Sequence, residues 1–372
     1  GNALIITEFG TLSDTLQTPV NVTASGDSHL IVNGNAKILG SLTGLGSFAV
    51  NNGTLTTGQN ATLNVNGSVA LTESQWINQS ENVHIEGDLT LTGTTLDGQN
   101  GRVESETIII GNGSVVYDRD SVAANGWVLQ TGGSYYFAEN TFDENGLATI
   151  DNGWFEFAGG SINRLATGEM FTGALAVVTD PDRIGEEDYL TPQYKFSAGN
   201  YSFDSIAVNV ESVGVEANDR PGLVVSGGSV TFGEMNAYQG TASFTGGSIH
   251  ADRLISAEGS FTVNASDEGF TVGAFVGAEG GDFTLASGTM AADSLDLAAG
   301  KLTIATGATL STYSGQIFTN GLNDEGTNAD AGSLIYGSDH LVFAENGKLT
   351  LRDQFYNDDY AASAGSLLDG VN

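Results

Sequence analysis

The chain has 372 residues, of which 52 are glycine, 4 are proline and none is cysteine, and 45 acidic side chains against 11 basic ones give a formal net charge of -34. Glycine is about twice as frequent as in an average globular protein, but the chain has few prolines and no Gly-X-Y period, which excludes collagen. Because 40% of the residues are hydrophobic and only 15% are charged, an ordered fold is expected rather than disorder.

The composition also excludes several partners and sites. Without cysteine the chain has no disulfide, thiolate metal site or cysteine nucleophile. Its negative charge disfavours binding to nucleic acids, because their phosphates are bound by Lys and Arg. The same charge disfavours binding to anionic membrane surfaces. No apolar run approaches the about 20 residues of a membrane-spanning helix. Since the first residues, Gly1–Leu4, form no basic and apolar leader, we expect a mature fragment that does not itself insert into a membrane.

A glycine-led motif recurs along the chain. In each copy a glycine and a small polar or charged residue precede apolar residues around a variable position. The copies begin at Gly46, Gly67, Gly87, Gly113 and Gly133, and, after an interruption, at Gly228, Gly247, Gly281, Gly300 and Gly347. Most copies alternate apolar and polar residues, as a strand with one buried face does. Their spacing indicates a period of about 20 residues, which is typical of solenoids.

The short strands of this repeat cannot bury a face alone, whereas stacked coils of about 20 residues can. The sequence therefore predicts an all-β fold, a right-handed parallel β-helix (β-solenoid), with Asn- and Gly-rich corners such as Asn51–Gly53. About 15 coils at roughly 4.8 Å spacing would form a rod on the order of 70 Å long. The predicted interior residues are Val69, Leu71, Leu89, Leu91, Ile108, Ile110, Val115, Tyr117, Tyr135, Phe137, Phe155, Phe157, Val230, Phe232, Phe283, Leu285, Leu302, Ile304, Leu349 and Leu351.

The repeat is poorest over residues 161–221, which hold three of the four prolines and an acidic run. Because proline cannot donate to an internal ladder, we expect an irregular segment that protrudes from the solenoid between coils 1–160 and 222–372. Binding residues concentrate on such protrusions, so this segment is a candidate partner-binding site; the alternative is a solvated loop without a role. The candidate residues are Asp180, Asp182, Arg183, Glu186, Glu187 and Asp188.

Leu63, Val65 and Val69 alternate with polar residues in a glycine- and asparagine-rich coil, within an acidic chain that lacks cysteine. In these features the chain resembles the passenger domain of bacterial autotransporters of the self-associating, AIDA-like adhesin type. The resemblance covers most of the chain outside the proline-bearing segment. It implies export through the outer membrane to the bacterial cell surface or the medium. It also implies a non-enzymatic role in aggregation, biofilm formation or host adhesion, and hence in virulence.

Candidate catalytic residues are few. Gly26–His29 is similar to the Gly-Asp-Ser-Gly motif of serine nucleophiles, but His29 replaces its last glycine, so catalysis at Ser28 is not predicted. The other histidines, His84, His250 and His340, are scattered singly, which leaves little for a triad or a histidine metal site. The sequence therefore predicts no catalytic residue and no metal ligand.

Carboxylates and aromatic rings leave alternatives open. The 180–188 run could supply an acid and a base for a polysaccharide-degrading enzyme, although Arg183 and Lys195 are its only nearby cations. Calcium is a further alternative at this run, at Asn323–Glu325 or at Asn357–Asp359; no other cofactor is predicted. An interior stack is preferred over a carbohydrate site for the aromatic residues. These are Trp76, Trp127, Trp154, Tyr117, Tyr135 and Tyr136.

Three hypotheses about function follow. The preferred one is a non-enzymatic adhesin whose polar solenoid flank binds a copy of itself on a neighbouring cell. The second is a module that binds a host surface glycan or protein through the 161–221 segment. The third is the polysaccharide-degrading enzyme.

Overall fold

The computed structural model describes residues 7–12, 16–18, 22–118, 122–137, 148–150, 153–187, 189–212, 220–278, 280–297, 300–313, 317–318 and 341–352. These residues contain no helix, and their parallel sheets form a β-solenoid of about 12 turns with coils of about 21 residues. The predicted fold class is confirmed. The turns are fewer than the about 15 expected because some coils are longer. For example, Tyr194 pairs with Leu223 and Leu302 with Leu341.

The chain divides into two compact units, residues 1–172 and 173–372. The strands of the first unit are β1 Thr7–Leu12, β2 Leu16–Thr18, β3 Val22–Thr23, β4 Ser25–Asn33, β5 Ala36–Ile38, β6 Ser41–Asn51, β7 Thr54–Thr57, β8 Thr62–Thr72, β9 Gln75–Asn78, β10 Asn82–Thr92, β11 Thr95–Asp97, β12 Val103–Ile110, β13 Val115–Asp118, β14 Val122–Gln130, β15 Ser134–Phe137, β16 Ala148–Ile150, β17 Trp154–Phe157 and β18 Ser161–Arg164.

The strands of the second unit are β19 Ala174–Val178, β20 Gln193–Phe196, β21 Asn200–Asn209, β22 Leu223–Ser256, β23 Ser260–Ala265, β24 Phe270–Gly277, β25 Asp282–Ser287, β26 Thr289–Asp296, β27 Lys301–Ile304, β28 Thr309–Tyr313, β29 Ile317–Phe318, β30 Leu341–Phe343 and β31 Lys348–Arg352.

Two parallel sheets cover the first unit. The short sheet contains β2, β5, β7, β9, β11, β13, β15 and β18, one strand from each coil. The long sheet contains the longer strands, including β4, β6, β8, β10, β12 and β14. Like residues stack between coils, since Val69 pairs with Leu89 and Leu89 with Ile108, and all three are buried. Each coil thus buries its apolar face against the next coil.

Most of the predicted interior is confirmed. Buried side chains are found at Val69, Leu71, Leu89, Leu91, Ile108, Ile110, Phe157, Val230, Phe232, Phe283, Leu285, Leu302 and Ile304. Five predicted interior residues are instead partly exposed, namely Val115, Tyr117, Tyr135, Phe155 and Leu349. The side chains of Phe137 and Leu351 lie outside the described residues.

Val115 and Tyr117 were predicted in the interior but are partly exposed, and they show why the glycine-led motif does not by itself tell which side chains are buried. The Gly113 copy forms β13 of the short sheet, where Val116 pairs with Leu96 and is fully buried. Because strand side chains alternate, its two neighbours point outward. Tyr135 pairs with Val116 and packs against the core although it is partly exposed.

The 161–221 segment contains regular solenoid strands within the second unit. Strand β19 pairs in parallel with β21, joining Leu175 to Ile206, and β20 pairs with β22. These partners are about 30 residues apart, so this coil is longer than the average one. Part of the extra length lies in the turns between β19 and β20. The proposed boundaries at 160 and 221 remain a prediction.

Candidate functional site

The acidic run folds as consecutive turns held on a buried tyrosine. The Arg183 amide donates to the Asp180 carbonyl at 3.1 Å, and the Asp182 amide donates to Asp180 Oδ1 at 3.0 Å. Tyr189 is fully buried, and its hydroxyl accepts the Asp180 amide at 2.6 Å. The Arg183 guanidinium lies 4.8 Å from the Tyr189 ring centroid. The Tyr189 side chain thus holds the loop at its start, through Asp180, and in its middle, through Arg183.

The loop presents negative charge to solvent. Arg183 Nε lies 2.9 Å from Glu186 Oε2, while Asp182, Glu186 and Glu187 are exposed. Asp188 lies outside the described residues. Among the described residues, no group of three His, Asp or Glu side chains could hold a metal ion. The calcium alternatives at 323–325 and 357–359 also lie outside the described part of the chain.

The structure separates the residues of the serine motif. Ser28 is buried, whereas its neighbour His29 is exposed on the other face of β4 and shares a 2.7 Å hydrogen bond with Ser47 Oγ. The next two histidines face carboxylates on the surface, His84 at 3.7 Å from Glu104 and His250 at 3.1 Å from Asp252. His340 falls outside the described residues. Ser28 and His29 therefore cannot act on one another.

The aromatic candidates divide between interior and surface. Trp76 is fully buried, and its Nε1 donates to Thr57 Oγ1 at 3.2 Å. Phe155 lies between Tyr135 and Phe157, with ring centroids 5.9 and 4.6 Å away. Trp154 is partly exposed, as are Tyr117 and Tyr136, and the Trp127 side chain lies outside the described residues.

One outer face of the long sheet carries little charge. Strands β4, β6, β8, β10 and β12 stack in register, and their final halves present three rows of half-buried or exposed side chains. We call this surface the low-charge face. Its residues are His29, Ile31, Asn33, Ser47, Ala49, Asn51, Ser68, Ala70, Thr72, Asp88, Thr90, Thr92, Thr107 and Ile109.

In β10 and β12, charge is concentrated on the other side of a corner in the strand. In β8 three consecutive unburied residues, Asn66–Ser68, interrupt the alternation and mark this corner. Next to it lie Glu86, Glu104 and Glu106, with Arg102 Nε 2.8 Å from Glu104 Oε1. Asp88 is the one acidic residue of the low-charge face. A soluble surface usually carries about a quarter to a third charged residues, so acids and neutral groups are segregated here.

Side chains of the low-charge face already bond along its rows. Asn51 Nδ2 donates to Asn33 Oδ1 at 3.0 Å, and the Asp88 amide donates to Ser68 Oγ at 3.2 Å. These contacts link successive coils and hold the polar groups in ordered rows. Sequence reasoning predicted a polar flank but did not identify this face, because its rows join residues about 20 positions apart. The available signal was the identity of the outward positions in aligned coils.

Comparisons with protein families, curated proteins and solved structures found no match to this chain. The likeness to autotransporter passengers therefore stays a prediction. Within the described residues, no helix combines the length and apolar character needed to cross a bilayer. The structure itself establishes a parallel β-solenoid with an anchored acidic loop in one unit and a low-charge face in the other.

Proposed function

We propose that this chain is a non-enzymatic adhesin of the bacterial cell surface, exported through the outer membrane, and that copies associate through the low-charge face. The observation that supports this is the segregation of charge in β10 and β12, where Glu86, Glu104 and Glu106 lie outside the low-charge face. In a chain of charge -34, the least repulsive way to bring two copies together is through a surface with few acids.

The chemistry of the low-charge face suits a second copy. Serine and threonine hydroxyls and asparagine amides both donate and accept hydrogen bonds. A face built from them is complementary to itself when two copies meet about a two-fold axis. Ala49 and Ala70 occupy the central row, where small side chains allow close approach.

The size of the face predicts weak single contacts. Five strands at about 4.8 Å spacing and three rows about 7 Å apart cover roughly 24 by 21 Å, a few hundred Å² per copy. Stable interfaces bury about 800 Å² per partner. Adhesion between cells would therefore depend on many copies acting together.

The test is a charge inserted into the middle row. We expect Ala70→Glu combined with Thr90→Glu to abolish clumping of cells that display the chain, since paired faces would bring four new carboxylates together. The matched control is Asn64→Glu, also outward on β8 but on the other side of the corner. If the double variant clumps as well as the native chain, at equal display level, self-association through this face is wrong.

A second candidate function is a host glycan- or protein-binding module that uses the 161–221 segment. It is supported by the loop anchored on Tyr189 and by a nearby open cleft of about 270 Å³, lined in part by Glu211, Arg220 and Thr241. An anchored loop loses little entropy on binding. Replacing Asp182, Glu186 and Glu187 together with neutral amides should abolish host-cell binding while clumping persists. Unchanged host binding would reject this module.

A further inference from the structure

A pair of tyrosines stands on the outer face of the short sheet. Tyr117 in β13 pairs with Asp97 in β11 and with Tyr136 in β15, and Asp97 pairs with Ile77 in β9. All four side chains are partly exposed. The two tyrosine rings pack together with centroids 5.1 Å apart and planes tilted by 30°. We call these four residues the tyrosine row.

Neutral polar groups flank the tyrosine row. On one side, Thr95 and Ser134 lie in register with Val115. Beyond Asp97, Gln79 Nε2 donates to Gln99 Oε1 at 3.0 Å. Asp97 is the only charged side chain among the tyrosine row, Thr95, Val115, Ser134, Gln79 and Gln99. The surface thus combines aromatic and aliphatic area with groups that both donate and accept hydrogen bonds.

We infer that the tyrosine row and its flanks bind a neutral, linear polysaccharide. Tyrosine offers apolar ring surface beside a hydroxyl, which suits a ligand with C–H patches and many hydroxyls. The amide and hydroxyl groups on the flanks of the tyrosine row can donate a hydrogen bond to a sugar hydroxyl or accept one from it. Net charge argues against an anionic polymer, while a cationic one would find more acids elsewhere, for example at Glu104 and Glu106.

The form of the surface favours a polysaccharide over a single sugar. The face is an open sheet on which successive coils repeat at about 4.8 Å, so an extended ligand running along the coils meets one partly exposed side chain of the tyrosine row at each step. The two rings restrain each other, so little side-chain entropy is lost on binding. This inference does not depend on self-association, because it uses a different sheet from the low-charge face.

Calorimetric titration of the full chain with neutral β-linked hexasaccharides of glucose, mannose and N-acetylglucosamine tests this inference. At least one should bind, and Tyr117→Ala and Tyr136→Ala should each weaken that binding by about ten-fold or more. Tyr238→Ala is the control, because Tyr238 is 37% exposed in the other unit. Tyr117→Phe and Tyr136→Phe, which keep the ring packing, should retain most of the affinity.

Two outcomes would overturn the inference. One is that no neutral hexasaccharide binds, although the chain is folded by circular dichroism. The other is that both alanine variants bind as tightly as the Tyr238→Ala control. If the second outcome comes with loss of clumping in Tyr117→Ala, the tyrosine row contacts a second copy rather than a glycan.

Discussion

Glycines at coil corners are required by contact between backbones. A Cβ on Gly53 would lie 1.8 Å from the Gly34 carbonyl oxygen, whereas one on Gly58 would meet Cδ2 of the exposed Leu39 side chain at 3.1 Å. We expect Gly53→Ala to lower the free energy of unfolding by about 1–3 kcal/mol, as overpacking does. Gly58→Ala should change it by less than about 1 kcal/mol. Urea denaturation of both variants measures the difference, and equal midpoints would contradict it.

Tyr194 links stability to alkaline pH. Burial raises the pKa of its phenol well above the ordinary value of 10.0. The unfolded chain releases this proton near pH 10 while the folded chain keeps it, so this stabilisation is complete below about pH 10 and is lost as the pH rises further. Tyr194→Phe should therefore lose less stability than the native chain between about pH 9 and pH 11 in urea titrations. An equal loss in both proteins would show that other groups dominate.

At the scale of elements, the loop between β19 and β20 depends on Tyr189. Tyr189→Phe keeps the ring but removes the hydroxyl that accepts the Asp180 amide. The loop should then open more often and expose the Arg183–Ile184 bond. We expect trypsin to cleave there several-fold faster than in the native chain, while cleavage at Arg253 in β22 stays unchanged. If trypsin cleaves after Arg183 at the same rate in Tyr189→Phe and in the native chain, the contact between the Arg183 guanidinium and the ring of residue 189 is enough to hold the loop.

The sequence predicted that the strands exist, but not which of the two sheets each strand joins. The alternation of apolar and polar residues revealed β8 and β10, because both strands bury one face. The Gly113 copy looks the same in sequence but belongs to the short sheet, so its alternation is shifted by one residue. In the long sheet its counterpart is Ile108–Ile110, which has no leading glycine. The sequence placed Ile108 and Ile110 in the interior, but only the pairing of Leu89 with Ile108 shows that this strand continues the long sheet.

The acidic loop and the low-charge face differ in how far sequence could reveal them. The loop is contiguous in sequence, so its prolines and acids marked it. Its anchor on Tyr189 could not be foreseen, because burial of one aromatic ring depends on packing. The low-charge face joins Asn51, Ala70 and Thr90 from separate coils, and its composition becomes visible only after the coils are aligned.

For the whole molecule, net charge sets a condition on self-association. Two copies of charge -34 repel one another over the Debye length, which falls from about 30 Å at 0.01 M salt to about 8 Å at 0.15 M. We therefore expect association in analytical ultracentrifugation to strengthen as salt is added. The Ala70→Glu and Thr90→Glu double variant should remain monomeric over the same range. Association that weakens with salt would point to ion pairs rather than to the low-charge face.

The sequence by itself determined the class of this protein. Short strands with a period of about 20 residues can bury their apolar faces only against neighbouring coils, which requires a parallel solenoid. Composition also determined the acidic surface. Tertiary structure alone decided which side chains share a face, since a shift of one residue in register exchanges inside for outside. For that reason Tyr117 lies beside Tyr136 on the surface rather than in the core.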